Sequence, residues 1–254
     1  MLFLLRQLRR LDLRKRSGRY FLYAVGEIVL IILGIVIALQ IQDWNQDRAD
    51  RVAEKLFLQR IQDDLQRDLV NFAAEQEAGQ EGLEALEKAI ELLYEENTEE
   101  DFYTFNDYYD LAWLDALRPQ YSTYLELEST GRLNLIRDDG LRLAILDHYA
   151  YYRQMEKAFD RLYEWHDPVT RYSDADTKIL KYVNTARPIF KDEHRDPSDW
   201  AYINDPQHPH FHKTETAVAA ISWWLNESLN LYEEMIPRVH ALHDMIDDAL
   251  QSFE

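Results

Sequence analysis

Residues 20–41 form a long apolar stretch with one acidic residue, Glu27, and no basic residue. Because a helix rises about 1.5 Å per residue, this stretch is long enough to span a hydrocarbon core of about 30 Å. Beyond it, apolar residues recur at helical spacing from Val52 to Phe72, with charged residues between them. The pattern predicts a single N-terminal transmembrane helix that continues outward as a long stalk helix.

The rest of the chain also has the apolar spacing of helices, which predicts an all-α fold with a helical bundle after the stalk. Gly79 and Gly82 weaken the helical pattern because glycine lowers helix stability. Residues 42–94 therefore fit either one very long helix or a helical hairpin that bends at these glycines. Downstream, Thr98 is a suitable N-cap residue for the next helix.

Caps and prolines set the other expected helix boundaries. Ser122 or Thr123 is expected to cap a short helix, and Gly131 is expected to end it in the left-handed conformation. The following long helix should end or change direction at Pro168, and Pro237 should kink or split the C-terminal helix.

Charge is distributed unevenly along the chain. Residues 1–19 carry seven basic residues and one acidic residue, a net charge of plus six. The whole chain carries −19, so after the minus one of Glu27 is set aside, residues 42–254 carry −24. Because basic flanks stay in the cytoplasm, the N-terminus is expected on the cytoplasmic side of a bacterial inner membrane and the body in the periplasm. The predicted segments are a basic amphipathic cytoplasmic segment (1–19), the transmembrane helix (20–41) and an acidic helical periplasmic domain (42–254).

A cleaved signal peptide is the alternative explanation for a basic start followed by an apolar stretch. The stretch is longer than the apolar region of an ordinary signal peptide, and no small-x-small cleavage site precedes Asp43. An uncleaved signal anchor is therefore the preferred interpretation. The chain has no cysteine, which excludes disulfides, thiolate catalysis and cysteine-ligated metal centres.

One face of the apolar helix suggests contact with another helix. Glu27, Gly34 and Ala38 fall on the same side, and small residues at this spacing let a second helix approach closely. Glu27 would then face a partner rather than lipid, or lie close enough to the cytoplasmic headgroups to reach them. We expect this face to form a helix–helix interface in a homo-oligomer or with a partner membrane protein.

Two blocks of the sequence resemble an uncharacterised bacterial family. The first contains Tyr-Ala-Val-Gly-Glu-Ile at 23–28, Gly-Ile-Val-Ile-Ala-Leu-Gln-Ile at 34–41 and Asp-Trp-Asn at 43–45. The second contains Tyr-Ser-Thr-Tyr at 121–124, Glu-Ser-Thr-Gly at 128–131, Leu-Ile-Arg at 135–137 and His-Tyr at 148–149. The resemblance implies one N-terminal transmembrane helix and a helical body. The family is a domain of unknown function, so the resemblance implies no catalytic residues.

Residues 188–213 are predicted to form a long loop that contains His208, His210 and His212. In an extended chain, residues two apart point to the same side, so the three imidazoles could converge on Zn²⁺ or another divalent metal. Asp205 or His194 would be a fourth ligand. Alternating histidines also occur on solvated loops, where they bind metal only weakly, and this is the preferred interpretation.

The sequence contains no glycine-rich phosphate loop, His-Glu-x-x-His or Gly-x-Ser-x-Gly motif, so no enzyme activity is predicted. The acidic body would repel nucleic acid, and the basic N-terminus is closer to lipid headgroups. Paired acids such as Asp63 and Asp64 are interpreted as parts of solvated helix faces.

Three hypotheses about function remain from the sequence. The leading one is a single-pass inner-membrane protein that acts by protein–protein contact, as a scaffold, an adaptor or an accessory subunit. The second is a module that senses a small ligand among the aromatic residues at 102–124 and signals through a partner, although such residues more often form the packed corner of a bundle. The third is a metal-binding protein that uses the three histidines of the 188–213 loop.

Overall fold

The computed structural model describes residues 16–115, 117–177, 182 and 189–253. Within these ranges the chain forms α-helices and short 3-10 turns and contains no strand, which confirms the all-α prediction. The helices are α1 (Arg16–Leu93), α2 (Glu99–Asp110), α3 (Ser122–Ser129), α4 (Asp139–Thr177) and α5 (Pro209–Gln251). The 3-10 turns are Arg132–Leu135, Asp192–His194, Pro197–Asp199 and Ala201–Asn204. Most of the predicted amphipathic segment, residues 1–15, lies outside the described residues.

The chain divides into two compact units, of which the first ends at Lys55 and the second begins at Leu56. In the first unit, α1 contains an 18-residue window with a mean hydropathy of 2.7, and none of that window is buried. Among the described helices, α1 is long and apolar enough to cross a membrane by length and composition. The predicted segment boundary after residue 41 stays a prediction.

Helix α1 continues through both of its later glycines, so the hairpin interpretation of this region is wrong. The reason is close packing. A Cβ atom built on Gly79 would lie 2.8 Å from Cδ2 of Leu229, and one built on Gly82 would lie 3.2 Å from Cα of Ala112. The glycines let α5 and the segment after α2 approach α1 closely. This packing outweighs the helix propensity that each glycine loses, about 1 kcal/mol.

Both internal prolines lie inside helices, so the helix end predicted at Pro168 and the split predicted at Pro237 are wrong. The alternative change of direction at Pro168 and kink at Pro237 stay predictions. Helix α4 continues past Pro168 to Thr177, and α5 passes Pro237 without ending. An internal proline costs roughly 3 kcal/mol or more because it removes one backbone hydrogen bond and crowds the preceding turn. Residues on both sides of each proline are buried, among them His166, Thr170, Met235 and Val239. Packing of α4 and α5 along each other outweighs the local cost.

The second unit has a core made of two clusters of buried side chains. The first cluster joins α1 to α3, α4 and the C-terminal half of α5, and it includes Ile61, Leu65, Phe72, Leu127, Ile145, Tyr152, Met235 and Ile246. The second joins the last turns of α1 to α2 and the N-terminal half of α5, and it includes Leu86, Leu93, Phe102, Phe105, Tyr202, Ile221 and Leu225. Each large apolar side chain that is buried contributes roughly 1.5–3 kcal/mol. These clusters therefore set which helix faces point inward.

The helix caps agree with the sequence prediction in two places and differ in a third. Thr98 caps α2 with a complete capping box, as predicted. Gly131 follows α3 with a φ of 67°, which confirms the predicted left-handed residue. Helix α3 itself begins at Ser122 with Tyr121 as its N-cap residue, so the prediction that Ser122 or Thr123 caps it is wrong.

Candidate functional site

The start of α3 is held by a carboxylate that belongs to α1. Asp64 is buried, and its Oδ2 accepts hydrogen bonds from the backbone N–H of Thr123 at 3.3 Å and from Ser122 Oγ at 3.4 Å. Arg67 pairs with the other carboxylate oxygen. A negative charge at a helix N-terminus is stabilising, and here another helix supplies it in place of a local cap. The interpretation of Asp64 as part of a solvated face is therefore wrong.

One turn further along α1, Asp68 is fully buried and joins two more segments of the chain. Its Oδ1 accepts a hydrogen bond from the backbone N–H of Gln120, and its Oδ2 accepts one from the hydroxyl of Tyr152, both at 2.9 Å. Burial raises the pKa of Asp68 to about 6, although both hydrogen bonds favour the ionised form. This carboxyl group therefore changes its charge near pH 6, well above the usual range for aspartate.

Four tyrosine rings pack together next to Asp68, which one of them, Tyr152, contacts directly. Tyr124 on α3 stacks on Tyr149 of α4 with their ring centroids 4.2 Å apart. Tyr121 lies 5.8 Å from Tyr149 and 6.1 Å from Tyr152, and its hydroxyl donates a hydrogen bond of 2.8 Å to Glu156. Tyr121, Tyr124 and Tyr149 of the second family-like block thus meet in one aromatic layer. The layer holds α3 against the buried acids of α1.

A buried histidine extends the layer on α4. His148 is 6% exposed, and the centroid of its ring lies 4.2 Å from that of Tyr152. Burial, and secondarily the charge of Arg238, lower the pKa of His148 to about 4, so the imidazole is neutral at pH 7. His148, Tyr152 and Asp68 form a continuous path from α4 to α1, which we call the Asp68–Tyr152–His148 network.

The predicted metal-binding histidines lie at the start of α5 and not on an extended loop. The predicted loop 188–213 instead contains three 3-10 turns and the first residues of this helix. His208 is the N-cap residue, and its Nδ1 accepts a hydrogen bond of 3.1 Å from the N–H of His210. Nδ1 of His212 lies 3.8 Å from the Glu215 carboxylate.

The extended-chain premise behind the metal site is therefore wrong. Helical residues two apart are turned by about 200°, so His210 and His212 do not share a side. Among the residues that the structure describes, no group of three or more His, Asp or Glu is placed to hold a metal ion. The assignment of zinc or another divalent metal to His208, His210 and His212 stays a prediction without geometric support.

The aromatic residues that the sensing hypothesis needs are largely packed into the core. Phe102, Phe105 and Tyr109 are buried in the second cluster, with successive ring centroids 6.2 and 6.1 Å apart. Phe102 also meets Tyr182 edge-on at 5.1 Å. These contacts confirm the packed-corner interpretation for this part of the 102–124 segment.

The predicted helix–helix face lies in the first unit and is exposed. Glu27, Gly34 and Ala38 are all exposed, and no described atom lies within 4 Å of a Cβ built on Gly34. A second helix could therefore approach this face. Its role as an interface stays a prediction.

Sequence reasoning missed the Asp68–Tyr152–His148 network. A signal was present, because Asp64 and Asp68 share one helical face with Ile61 and Leu65, and that face was predicted to be apolar. An acid within a buried stripe needs polar partners, since a buried charge without them is costly. The sequence could not show which residues those partners are.

A family model matches residues 27–185, more than half of the chain, and describes a family of unknown function (DUF6090). The chain therefore belongs to this family. No curated protein and no solved structure matches it. The matched residues include the apolar part of α1 after Glu27 and the whole Asp68–Tyr152–His148 network.

Proposed function

We propose that this member of the DUF6090 family is a single-pass protein of the bacterial inner membrane whose acidic helical domain lies in the periplasm. There it acts by protein–protein contact, as a scaffold, an adaptor or an accessory subunit. The observation that carries the proposal is the exposed apolar surface of α1. Leu30, for example, is 70% exposed and Ile31 57%. Such a surface is unfavourable in water and well suited to a bilayer.

Charge supports the proposed orientation. Residues 1–19 carry a net plus six, whereas residues 42–254 carry −24. Basic residues next to a membrane span stay on the cytoplasmic side, where anionic lipids also attract them. An acidic domain places little restriction on its own export. Both sides of the span therefore favour a periplasmic body.

An exposed aromatic pair supports action by contact. Trp165 on α4 and Trp223 on α5 are 56% and 41% exposed, and their ring centroids lie 4.4 Å apart. Tryptophan is enriched among the residues that contribute most to protein–protein binding, because it offers a large rigid surface. The pair is a suitable anchor for a partner on the α4–α5 surface. Self-association through Glu27, Gly34 and Ala38 is part of the same proposal.

Two experiments test the proposal. Reporters that are active on only one side of the membrane, fused to the C-terminus, should show that the C-terminus lies in the periplasm. Washing isolated membranes with alkaline carbonate should leave the full chain in the membrane fraction. A C-terminal reporter active in the cytoplasm would contradict the orientation. Changing both Trp165 and Trp223 to Ala should reduce cross-linking of the native protein to its partner. Leu143→Ala, at another exposed apolar position of α4, is the matched control.

Ligand sensing through a partner is the second candidate function. The buried rings at 102–109 do not favour it, but a cavity beside His148 does. Through Tyr152, this histidine is connected to Asp68 of α1. A ligand in the cavity would therefore act on a helix that also carries the apolar span.

A further inference from the structure

A small cavity lies where three segments of the second unit meet. Its walls come from α1, from the segment after α2 and from α5, and its volume is about 260 Å³. The wall residues are Asn71, Phe72, Ala74, Glu75, Asp115, Arg118 and Tyr232, and we call this space the Tyr232 cavity. Pockets for drug-sized ligands usually have roughly 300–1,000 Å³, so an occupant of the Tyr232 cavity must be a small molecule.

The cavity contains the hydroxyl group of a buried tyrosine. Tyr232 is 1% exposed, and its ring packs against Phe72 and Phe159 with centroids 5.6 and 5.1 Å apart. Its hydroxyl has no hydrogen-bond partner among the described residues, yet it is not sealed off from solvent as the unpaired hydroxyl of Tyr149 is. Nearly all buried polar groups in native proteins are hydrogen-bonded. A molecule in the cavity can supply the bond that the Tyr232 hydroxyl lacks.

Two carboxylates make the cavity negative. Oε2 of Glu75 accepts a 3.3 Å hydrogen bond from the backbone N–H of Asp115, which holds the two acids next to each other. Burial raises the pKa of Glu75, that hydrogen bond opposes the rise, and the charge of Asp115 adds to it. Burial also raises the pKa of Tyr232, and the charges of both acids add to that rise without a hydrogen bond. The hydroxyl therefore lies near both carboxylates but is bonded to neither.

Arg118 also lines the cavity, but its charge does not reach these groups. A nearby arginine lowers the pKa of a carboxyl group, as Arg67 does for Asp68. The charge of Arg118 contributes to the pKa of neither Glu75 nor Tyr232. At longer range, the net charge of −24 on residues 42–254 attracts positive ions. The chemistry of the Tyr232 cavity therefore favours a cation.

We propose that the Tyr232 cavity binds a small primary ammonium ion with a short apolar tail. An ammonium group has three N–H donors, and the cavity offers three acceptors, the carboxylates of Glu75 and Asp115 and the hydroxyl oxygen of Tyr232. The tail packs against Phe72 and Ala74. A bound ammonium ion would thus join α1, the segment after α2 and α5. The site goes beyond the proposed contact function and does not depend on it.

A metal ion suits this cavity less well than an ammonium ion. Calcium takes about six to eight oxygen ligands. Across the described part of the chain, no group of three or more His, Asp or Glu is placed to hold a metal ion. The two carboxylates of the cavity match the smaller number of donors on an ammonium group.

Nuclear magnetic resonance of the full chain in lipid nanodiscs, with labelled tyrosine side chains, tests the proposal. Titration with butylammonium chloride should move the Tyr232 resonance, identified by its absence in Tyr232→Phe, along a saturable curve. Glu75→Gln should weaken butylammonium binding about tenfold or more, because it removes one charged partner. Glu77→Gln is the matched control, since Glu77 is exposed on the same helix and turned about 200° away from Glu75.

Two further comparisons test the charge of the site and its hydrogen bonds separately. Arg118→Gln should leave butylammonium binding unchanged or tighten it, because the cavity wall loses a positive charge. Tetramethylammonium carries the same charge as butylammonium but has no N–H donor, so it should bind at least about tenfold more weakly. Circular dichroism checks that each variant is folded.

A saturable shift with butylammonium, together with these differences, would support the site. A silent Tyr232 resonance at about 50 mM butylammonium, well above the millimolar Kd expected of so small a ligand, would overturn it. Equal losses in Glu75→Gln and Glu77→Gln, or equal binding of the two ammonium ions, would show only general attraction to an acidic domain and would also overturn it. A tenfold loss in Arg118→Gln, or tighter binding of calcium than of butylammonium, would refute the ammonium assignment.

Discussion

Asp68 and His148 should change the stability of the protein in opposite directions over the same pH range. Because the pKa of Asp68 is raised from 3.8 to about 6, the native state holds more protons than the unfolded state between these values. Asp68 therefore stabilises the native state below pH 4, and this stabilisation is lost as the pH rises through about 6. The pKa of His148 is lowered from 6.5 to about 4, so its contribution is present above pH 6.5 and is lost as the pH falls towards 4.

Each effect has a magnitude of roughly 3 kcal/mol, because native and unfolded pKa values differ by somewhat more than two and one pKa unit corresponds to about 1.4 kcal/mol. In the wild-type protein the two effects largely cancel. In Asp68→Asn only the histidine effect remains, so the variant's stability relative to wild type should rise by about 3 kcal/mol from pH 4 to pH 7. In His148→Phe the stability of the variant relative to wild type should fall by about 3 kcal/mol over the same pH range.

Equilibrium urea unfolding of the full chain in mild detergent, followed by far-ultraviolet circular dichroism at pH 4, 5, 6 and 7, measures these differences. Asp68→Asn also weakens a hydrogen bond, but the part of that loss that depends on the charge of Asp68 is already contained in its pKa, so the dependence on pH is the diagnostic quantity. Exposed residues of the same types provide controls, namely Asp63→Asn and His240→Gln. If Asp68→Asn differs from wild type by the same amount at pH 4 and pH 7, the raised pKa of the buried carboxyl group is refuted.

Gly82→Leu should lower the free energy of unfolding by about 1–3 kcal/mol because its side chain must displace the backbone of Ala112, whereas Gly34→Leu should leave the melting temperature unchanged. Gly34→Leu combined with Ala38→Leu should reduce the oligomer in mild detergent, and a wild-type protein that is monomeric at every concentration would contradict that interface. Replacing the three histidines within 208–212 by alanine should cost about 1 kcal/mol, the usual value of a helix cap. A chelator should leave the melting temperature within about 4 °C, and a drop of about ten degrees that the triple variant lacks would instead show a structural metal site.

Features whose signals lie within a few neighbouring residues could be predicted from the sequence. The apolar stretch at 20–41 depends only on its own length and composition. Thr98 finds its capping partner three residues away, and Gly131 needs only its freedom to adopt a positive φ. The all-α class follows in the same way, because helical spacing persists over long segments.

The candidate site could not be predicted, because its members are distant in sequence. Tyr152 is 84 residues from Asp68, and Gln120 is 52 residues from it. The helical pattern places Asp68 on an inward face but contains no information about which donors the fold brings to it. His148 similarly has its pKa set by the helices that bury it and by Arg238 of α5.

By itself the sequence determined the fold class, the apolar stretch, the cap at Thr98 and the left-handed residue Gly131, since each of these depends on interactions between near neighbours. Only the tertiary structure decided whether a helix continues through Gly79, Gly82, Pro168 and Pro237. A single glycine or proline changes local helix stability by roughly 1–3 kcal/mol. The packing of many side chains in the two clusters exceeds that amount, so long-range burial overrides the local signal and also determines which polar groups meet.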